Sequence, residues 1–176
     1  MTQLLVTTGP ESSGKTTLAE QLGGALRAPL VTEASRDYLT DVYRRKPDYQ
    51  YQPDDLLQIA RLQHERELQA LQPKPAHLVC DTDLLVILIW SEVKYGKVDP
   101  ALTKLFEQSL ASTQRTYLLC DPRSPWQPDP LRENPHDRNA LFDRYMVKLK
   151  VLGAEFTIVT GSESERLVQA QRMTKT

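Results

Sequence analysis

The sequence contains little cysteine and almost no net charge, and each shortage excludes a class of protein. Its two cysteines, Cys80 and Cys120, stand near the ends of expected strands. This pattern indicates buried thiols in a reducing cytoplasm rather than a disulfide framework. The formal net charge is −1, and lysine and arginine are spread along the chain, so we expect no basic surface for duplex nucleic acid.

Long hydrophobic runs are also missing. The longest apolar run, Leu84 to Trp90, is too short to span a bilayer, so no membrane partner is expected. The start of the chain lacks a basic region followed by a long apolar stretch, so we expect no secretory signal and a cytoplasmic location. The length suits one compact α/β domain over residues 1–176, and the sequence leaves the oligomeric state open.

A complete phosphate-binding loop (Walker A motif) runs from Gly9 to Thr16, between the apolar run 4–6 and a helix-like segment. Glycine at positions 9 and 14 lets the backbone curl, so that N–H groups and the helix N-terminus point at a phosphate. Lys15 would reach the β- and γ-phosphates, and the Thr16 hydroxyl would ligate the magnesium that bridges them. The alternative, a chance match on a turn, is disfavoured by the flanking strand and helix. We therefore expect ATP and Mg2+ as cofactors.

Apolar runs without period-two alternation indicate strands that are buried on both faces of a parallel sheet. Five such runs lie at about 3–8, 29–33, 77–82, 115–121 and 156–160. Helix-like segments lie at about 14–27, 35–45, 53–71, 84–94, 100–113, 137–152 and 162–174. The alternation predicts an α/β fold with a doubly wound, five-stranded parallel sheet and ligands at the carboxyl ends of the strands.

Two polar, turn-rich stretches interrupt this pattern, at 44–53 and 121–130. The second holds four prolines within ten residues, so it cannot continue a helix or a central strand. It follows an expected strand at the ligand-bearing end of the sheet, and we therefore interpret about 122–138 as a mobile lid. An ordinary surface loop is the alternative.

Acidic residues follow two of the expected strands. Asp81 and Asp83 come after the apolar run 78–80, where a carboxylate can hold magnesium together with Thr16, and Glu33 closes the preceding strand. Beside the phosphate-loop strand these acids would converge on the γ-phosphate, where either Glu33 or Asp81 could orient or deprotonate an acceptor hydroxyl. The alternative is that the acids only cap the helices that follow them.

Arg123, Arg132 and Arg138 lie in or beside the expected lid. A guanidinium carried there could close on the phosphates and offset charge that develops in the transition state. Surface pairing with nearby acids is the alternative, and spacing does not say which arginine acts. Trp126 could stack on a planar base or pack the lid against the core.

Several of these motifs occur together. They are Gly-Pro-Glu-Ser-Ser-Gly-Lys-Thr-Thr at 9–17, Glu33 with Arg36 and Tyr38, Asp81-Thr82-Asp83 with Trp90 downstream, and Pro125-Trp126 with Asp129, Arg132 and Arg138. Over nearly the whole chain this set resembles the nicotinamide riboside kinase domain of NadR-type proteins, a P-loop kinase with a lid. The Glu-Ser-Ser within the loop and the Pro-Trp cluster are more specific than the phosphate loop, which many unrelated ATPases share.

The resemblance implies transfer of the ATP γ-phosphoryl group to the ribose 5′-hydroxyl of nicotinamide riboside, which gives nicotinamide mononucleotide for NAD salvage. The implied catalytic residues are Lys15, Glu33, Asp81, Arg132 and Arg138. ATP would be bound by Gly9, Glu11, Ser12, Ser13, Gly14, Lys15, Thr16 and Thr17, and the acceptor by Glu33, Arg36, Tyr38, Asp83 and Trp126. NadR proteins usually carry an amino-terminal nucleotidylyltransferase domain, whereas this phosphate loop starts at residue 9. A stand-alone kinase is therefore expected.

Two other functions stay open. A kinase for another nucleoside or nucleotide would use the same sheet, since a fold does not select its acceptor. A regulatory ATPase would instead use nucleotide binding to order 121–138 and change a partner surface. The sequence contains no Asn/Thr-Lys-x-Asp motif for guanine, which disfavours a GTPase switch.

Overall fold

A computed structural model describes residues 2–123 and 137–174, in which the chain forms five strands and seven helices. The strands are β1 (Gln3–Thr8), β2 (Leu30–Val31), β3 (His77–Asp81), β4 (Arg115–Cys120) and β5 (Glu155–Val159). The helices are α1 (Lys15–Leu26), α2 (Ala34–Arg45), α3 (Pro53–Leu71), α4 (Leu84–Tyr95), α5 (Pro100–Ser112), α6 (Arg138–Val151) and α7 (Glu163–Gln171). None of these helices combines the length and the hydropathy that crossing a bilayer requires.

The strands form one parallel sheet in the order β2-β3-β1-β4-β5. With β1 in the centre, the chain first winds to one side through β2 and β3 and then to the other through β4 and β5. The expected doubly wound parallel sheet is thereby confirmed. In such sheets ligands bind outside the carboxyl ends of the strands, where the winding direction reverses, and here that point lies between β1 and β3.

Each central strand buries side chains on both of its faces. Leu4 and Val6 of β1 pack in the core that the sheet shares with α2 to α6, whereas Leu5 packs toward α1 and α7. This double burial explains why the strands are continuously apolar rather than alternating. Cys80 and Cys120 are buried free thiols, as the sequence predicted.

Two strands end earlier than expected, and both ends shape the candidate site. The sequence suggested that β2 continues to about residue 33, but it ends at Val31 because Glu33 is already the N-cap of α2. Strand β3 ends at Asp81 because Thr82 has a φ of 68°, in the left-handed region that residues with a side chain rarely adopt. The chain therefore turns directly after Asp81 and enters α2 directly after Glu33.

A buried group of charged side chains connects three elements beneath the start of α4. Arg115 of β4 donates to Asp83 Oδ2 at 3.3 Å and to Glu67 Oε2 of α3 at 2.8 Å. Asp83 is the N-cap of α4, and it also accepts from the Tyr117 hydroxyl at 2.9 Å and from the Leu85 N–H at 3.0 Å. The group thus fixes the first turn of α4 to the sheet and to α3.

This group contains two carboxylates for one guanidinium. Asp83 is surrounded by three donors, whereas Oε1 of Glu67 has no hydrogen-bond partner within the described residues. Burial raises the pKa of Glu67 to about 7, although the charge of Arg115 acts in the opposite direction. The surplus proton of the group therefore resides on Glu67 below neutral pH.

We predict that Glu67→Gln removes a pH-dependent component of stability. The pKa of Glu67 is higher in the folded chain than its ordinary value of 4.5, so its stabilising contribution is complete below about 4.5 and is lost as the pH rises to about 7. From pH 5 to pH 8 the free energy of unfolding of the wild type should therefore fall by about 1–3 kcal/mol relative to that of the variant. Urea unfolding at both pH values measures this, with Glu65→Gln on the exposed side of α3 as the control. A pH-independent difference between Glu67→Gln and wild type would contradict the assignment.

Candidate active site

A cavity of about 480 Å3 opens at the carboxyl ends of the strands, a volume typical of small-molecule sites. The phosphate loop, residues 9–17, lines its centre. Residues from the start of α2 line the side toward β2, and residues 161–163 with Arg166 line the side toward β5. The cavity therefore has one compartment on each side of the phosphate loop.

Two glycines give the phosphate loop its shape. Gly14 is the N-cap of α1 and has a φ of 82°, a left-handed conformation that favours glycine. Gly9 has a φ of 130° and passes so close to β4 that a Cβ atom would lie 2.9 Å from the carbonyl oxygen of Cys120. The loop thus curls at the N-terminus of α1, a geometry in which backbone N–H groups bind phosphate.

Side chains satisfy the carbonyl groups of this loop. The pairs are Lys15 Nζ with Pro10 O at 2.7 Å, Arg138 Nη1 with Ser12 O at 3.1 Å, and Arg166 Nη1 with Ser13 O at 2.6 Å. A carbonyl oxygen carries negative partial charge, and each of these donors is cationic. Their pairing therefore reduces the repulsion that an incoming phosphate would meet.

Asp81 ends β3 beside the phosphate loop. Its Oδ2 accepts from the Thr16 hydroxyl at 2.7 Å, and its backbone lies opposite Thr7 of β1. Asp81 is only 3% exposed and does not line the cavity itself. Its hydrogen-bond partner Thr16 does line the cavity. Burial raises the pKa of Asp81, the hydrogen bond from Thr16 lowers it, and the negative charge of Glu33 raises it further. The two acids are therefore close enough for one charge to act on the other.

The Thr16–Asp81 pair has the donor atoms that suit magnesium. Hydroxyl and carboxylate oxygens are hard ligands, and magnesium at nucleotide sites is held by one or two such side chains together with phosphates and water. Among the described residues no group of three or more His, Cys, Asp and Glu side chains could hold a metal. The pair thus fits a magnesium ion that arrives with its nucleotide.

Glu33 lines the cavity from the N-cap position of α2. Its carboxylate accepts from the Ser35 hydroxyl at 2.6 Å, and it makes no capping hydrogen bond to the described backbone of α2. The alternative that this acid serves only as a helix cap is thereby disfavoured. Arg36 lines the cavity in the next turn, so a carboxylate and a guanidinium face the same compartment.

The compartment on the β2 side is largely apolar where it meets α4 and α6. Its lining residues are Leu39, Val86, Ile89, Trp90, Val93, Leu141 and Tyr145. Tyr51, which lies outside the cavity lining, fixes the orientation of Trp90, because Trp90 Nε1 donates to the Tyr51 hydroxyl at 2.9 Å and the two rings meet edge to face. Such a wall can hold a flat organic group.

Two residues that the resemblance assigned to the acceptor lie elsewhere, and these assignments are corrected. Asp83 is completely buried on Arg115 and Tyr117 and does not line the cavity. The Tyr38 hydroxyl donates to Asp55 Oδ1 of α3 at 2.7 Å, also outside the cavity lining. Burial and that hydrogen bond raise the pKa of Tyr38 to about 12. Both side chains stabilise the packing of neighbouring helices.

The expected lid falls mostly outside the described residues. Trp126 and Arg132 belong to the undescribed range 124–136, so their expected roles stay predictions. Arg123 forms an ion pair with Asp121 at 2.7 Å and is 77% exposed, in accord with surface pairing. Of the two candidate arginines among the described residues, Arg138 reaches the phosphate loop.

Arg166 of α7 is a site residue that sequence reasoning missed. Its guanidinium donates to backbone carbonyls of three separate segments, and its side chain is buried. The acceptors are Ser13 O in the phosphate loop at 2.6 Å, Asp121 O after β4 at 3.1 Å, and Gly161 O after β5 at 3.0 Å. Arg166 therefore ties together the loops that surround the compartment on the β5 side of the cavity. The sequence carries no local signal for this role, because its acceptors are backbone atoms up to 153 residues away.

We predict that Arg166→Gln weakens nucleotide binding specifically. The change leaves up to three carbonyls without their charged donor, and a hydrogen bond to a charged group contributes about 1.5–3 kcal/mol. The Kd of a non-hydrolysable ATP analogue, measured by calorimetry, should rise by about 10- to 100-fold. Arg172→Gln, at the exposed end of α7, is the control and should keep the wild-type Kd. Equal affinities in the two variants would contradict the role of Arg166.

Solved structures with the same fold include NadR in complex with nicotinamide riboside (NR), at 19% identity and a TM-score of 0.78, and NadR in complex with NAD and AMP-PNP, at 18% and 0.71. Each covers 98% of this chain, which spans about half of the NadR chains, 51% and 49%. A deoxyadenosine kinase from M. mycoides with dCMP and dCDP bound is similar at 15% identity and a TM-score of 0.64, with 98% and 97% of the two chains covered. These likenesses show a shared fold.

Sequence comparison gives the family directly. No curated protein matches the chain in sequence. The profile of the AAA domain family, in contrast, matches residues 4–166, which is most of the chain and includes the phosphate loop, Asp81 and Arg166. The chain therefore belongs to the AAA domain family and has the fold of the P-loop kinases.

Proposed function

We propose that this protein is an ATP-dependent kinase that phosphorylates the ribose 5′-hydroxyl of nicotinamide riboside and so produces nicotinamide mononucleotide. The observation that carries the proposal is the division of one cavity into a phosphate loop, an acid-bearing edge and an aromatic compartment. A kinase acting on a nucleoside needs these three parts side by side. The fold likeness to NadR bound to nicotinamide riboside supports the same acceptor.

The phosphate loop holds the donor in this scheme. Its curled backbone and Lys15 bind the β- and γ-phosphates of ATP, and Arg138, already in contact with Ser12, adds positive charge beside them. Thr16 and Asp81 would hold magnesium, which supplies charge neutralisation of the phosphates when bound. Arg166 keeps the loop in the shape that these contacts need.

Glu33 is the residue that accepts the proton. It lines the cavity, whereas Asp81 is occupied by Thr16 and lies out of the cavity lining. As the acceptor oxygen forms its bond to the γ-phosphorus, the bond between that phosphorus and the β–γ bridging oxygen breaks, and ADP leaves. The hydroxyl proton passes to the Glu33 carboxylate.

Trp90 and Tyr145 recognise the base of the acceptor. The pyridinium ring of nicotinamide riboside is flat and cationic, and a tryptophan face attracts a cation as well as a stacked ring. The ring would lie among Val86, Ile89 and Trp90, with its ribose toward Glu33. A cation–π contact with Trp90 would favour the riboside over neutral nucleosides of similar size.

A second candidate is phosphorylation of a deoxynucleoside. It is favoured by the likeness to the deoxyadenosine kinase, which extends over nearly the full length of both chains. The aromatic compartment also accommodates a neutral base, so geometry alone does not exclude it.

We expect an acceptor panel to separate these candidates. Purified protein with Mg-ATP and each of nicotinamide riboside, the common ribonucleosides and the deoxynucleosides should show a kcat/KM for the riboside at least about 10-fold above the others. Mass spectrometry of the products is the measurement. Phosphorylation of a deoxynucleoside alone would establish the second candidate, and ATP binding without any phosphorylated acceptor would exclude both.

We predict that Trp90→Leu impairs acceptor binding and leaves ATP binding intact. Loss of a stacked ring costs about 1–3 kcal/mol, so the KM for the riboside should rise by about 5- to 150-fold. The KM for ATP should stay within about twofold, because Trp90 lies on the opposite side of the phosphate loop from Arg166. Trp90→Phe retains a ring, and its KM for the riboside should lie between those of the wild type and Trp90→Leu. An unchanged acceptor KM in Trp90→Leu would refute the placement of the base.

A further inference from the structure

Gln63 is a buried amide on α3, which stands apart from the cavity lining. Its side chain is only 1% exposed, and α3 is otherwise packed here by apolar residues such as Ile59 and Ala60. A buried polar side chain needs hydrogen-bond partners, and those of Gln63 lie in the two loops that carry the acids of the site. The position of this amide therefore has consequences for the site.

The first partner is the start of α2. The N–H of Ala34 donates to Gln63 Oε1 at 2.8 Å. Ala34 is the first residue of the helix, where backbone N–H groups have no partner within the helix and commonly take one from the N-cap side chain. The N-cap residue is Glu33, whose carboxylate lines the cavity instead of capping the described helix. Gln63 thus supplies an acceptor at the helix start while Glu33 is used elsewhere.

The second partner is the turn after β3. Gln63 Nε2 donates to the carbonyl oxygen of Thr82 at 3.4 Å. Thr82 has a φ of 68°, a left-handed conformation that is costly for a residue with a branched side chain, and it directly follows Asp81. The surrounding structure has to hold such a conformation in place, and the bond from Gln63 is one contact that does so.

We propose that Gln63 is a positioning residue that sets the Glu33 carboxylate relative to Asp81 by linking the two strand-end loops. The amide is suited to this because its oxygen accepts while its NH2 group donates, and the loops present one N–H and one carbonyl. The inference rests on the proposed function, because the position of the Glu33 carboxylate relative to Asp81 matters only if these residues act in phosphoryl transfer.

The test is a double-mutant cycle between Gln63→Met and Glu33→Gln. Methionine matches glutamine in length and removes both hydrogen bonds, so the loops lose their link without a large change in volume. Misplacement of a catalytic group by about 1 Å costs on the order of 100-fold in rate, so kcat of Gln63→Met should fall by about 10- to 100-fold. The Kd of the ATP analogue should stay within about twofold, because the hydrogen bonds of Gln63 go to Ala34 and Thr82, outside the phosphate loop.

The cycle separates positioning from general destabilisation. If Gln63 acts through Glu33, the same substitution in the Glu33→Gln background should lower kcat by less than about threefold. An equal loss in both backgrounds, a wild-type kcat in Gln63→Met, or a parallel loss of nucleotide affinity would each overturn the proposal. Gln69→Met, on the exposed side of α3, is the matched control and should match wild type.

The test still decides the proposal if Gln63→Met does not fold or if the riboside is not the acceptor. If Gln63→Met does not fold, Gln63→Glu takes its place in the cycle, because it keeps an acceptor for Ala34 and loses the donor to Thr82. The same reduction in kcat is then expected, and wild-type turnover overturns the proposal. If the wild type does not phosphorylate nicotinamide riboside, the acceptor assignment fails. The kcat values of the cycle are then measured for the slow hydrolysis of Mg-ATP, in which water replaces the acceptor.

Discussion

The parallel pairing of β1 with β3 is the constraint on which the site depends. It places Thr7 opposite Asp81, and because β1 leads directly into the phosphate loop, it also brings Thr16 within 2.7 Å of that carboxylate. The winding direction of the sheet reverses at the same pair of strands, so the loops diverge there and leave room for a ligand. Any slip in this register would separate the phosphate loop from the acid that completes it.

A second set of buried polar contacts keeps these loops in place. Asp83 is held by Arg115 and Tyr117, Gln63 bonds to the backbone after β2 and after β3, and Arg166 joins the loops on the opposite side. Each of these side chains is buried and polar, and each has its partners in another element. Polar groups of this kind are costly to bury unless they are paired, so their positions are tightly defined. The cavity walls are thus held partly by residues outside the lining, such as Gln63 and Asp83, and partly by Arg166, which lines the cavity.

Much of this arrangement could be predicted from the sequence, and the exceptions share a physical cause. The parallel sheet, the strand and helix positions and the phosphate loop follow from apolar runs and local spacing, which are properties of neighbouring residues. The roles of Asp83 and Tyr38 could not be read in that way, because spacing places Asp83 beside Asp81 but does not say that Arg115 draws its carboxylate into the core. Arg166 and Gln63 bind backbone atoms that are distant in sequence, and such contacts leave no local pattern. The assignments of Trp126 and Arg132 stay predictions.

We propose that one cavity brings the 5′-hydroxyl of a riboside to Glu33 and to the γ-phosphate held by the phosphate loop. A crystal structure of the protein with magnesium, a non-hydrolysable ATP analogue and nicotinamide riboside tests it most directly. We expect the pyridinium ring against Trp90, the 5′-oxygen within hydrogen-bond distance of the Glu33 carboxylate, and Thr16 as a ligand of magnesium. A riboside bound outside the compartment of Trp90 and Tyr145, or a 5′-oxygen directed away from Glu33 and the γ-phosphate, would contradict it.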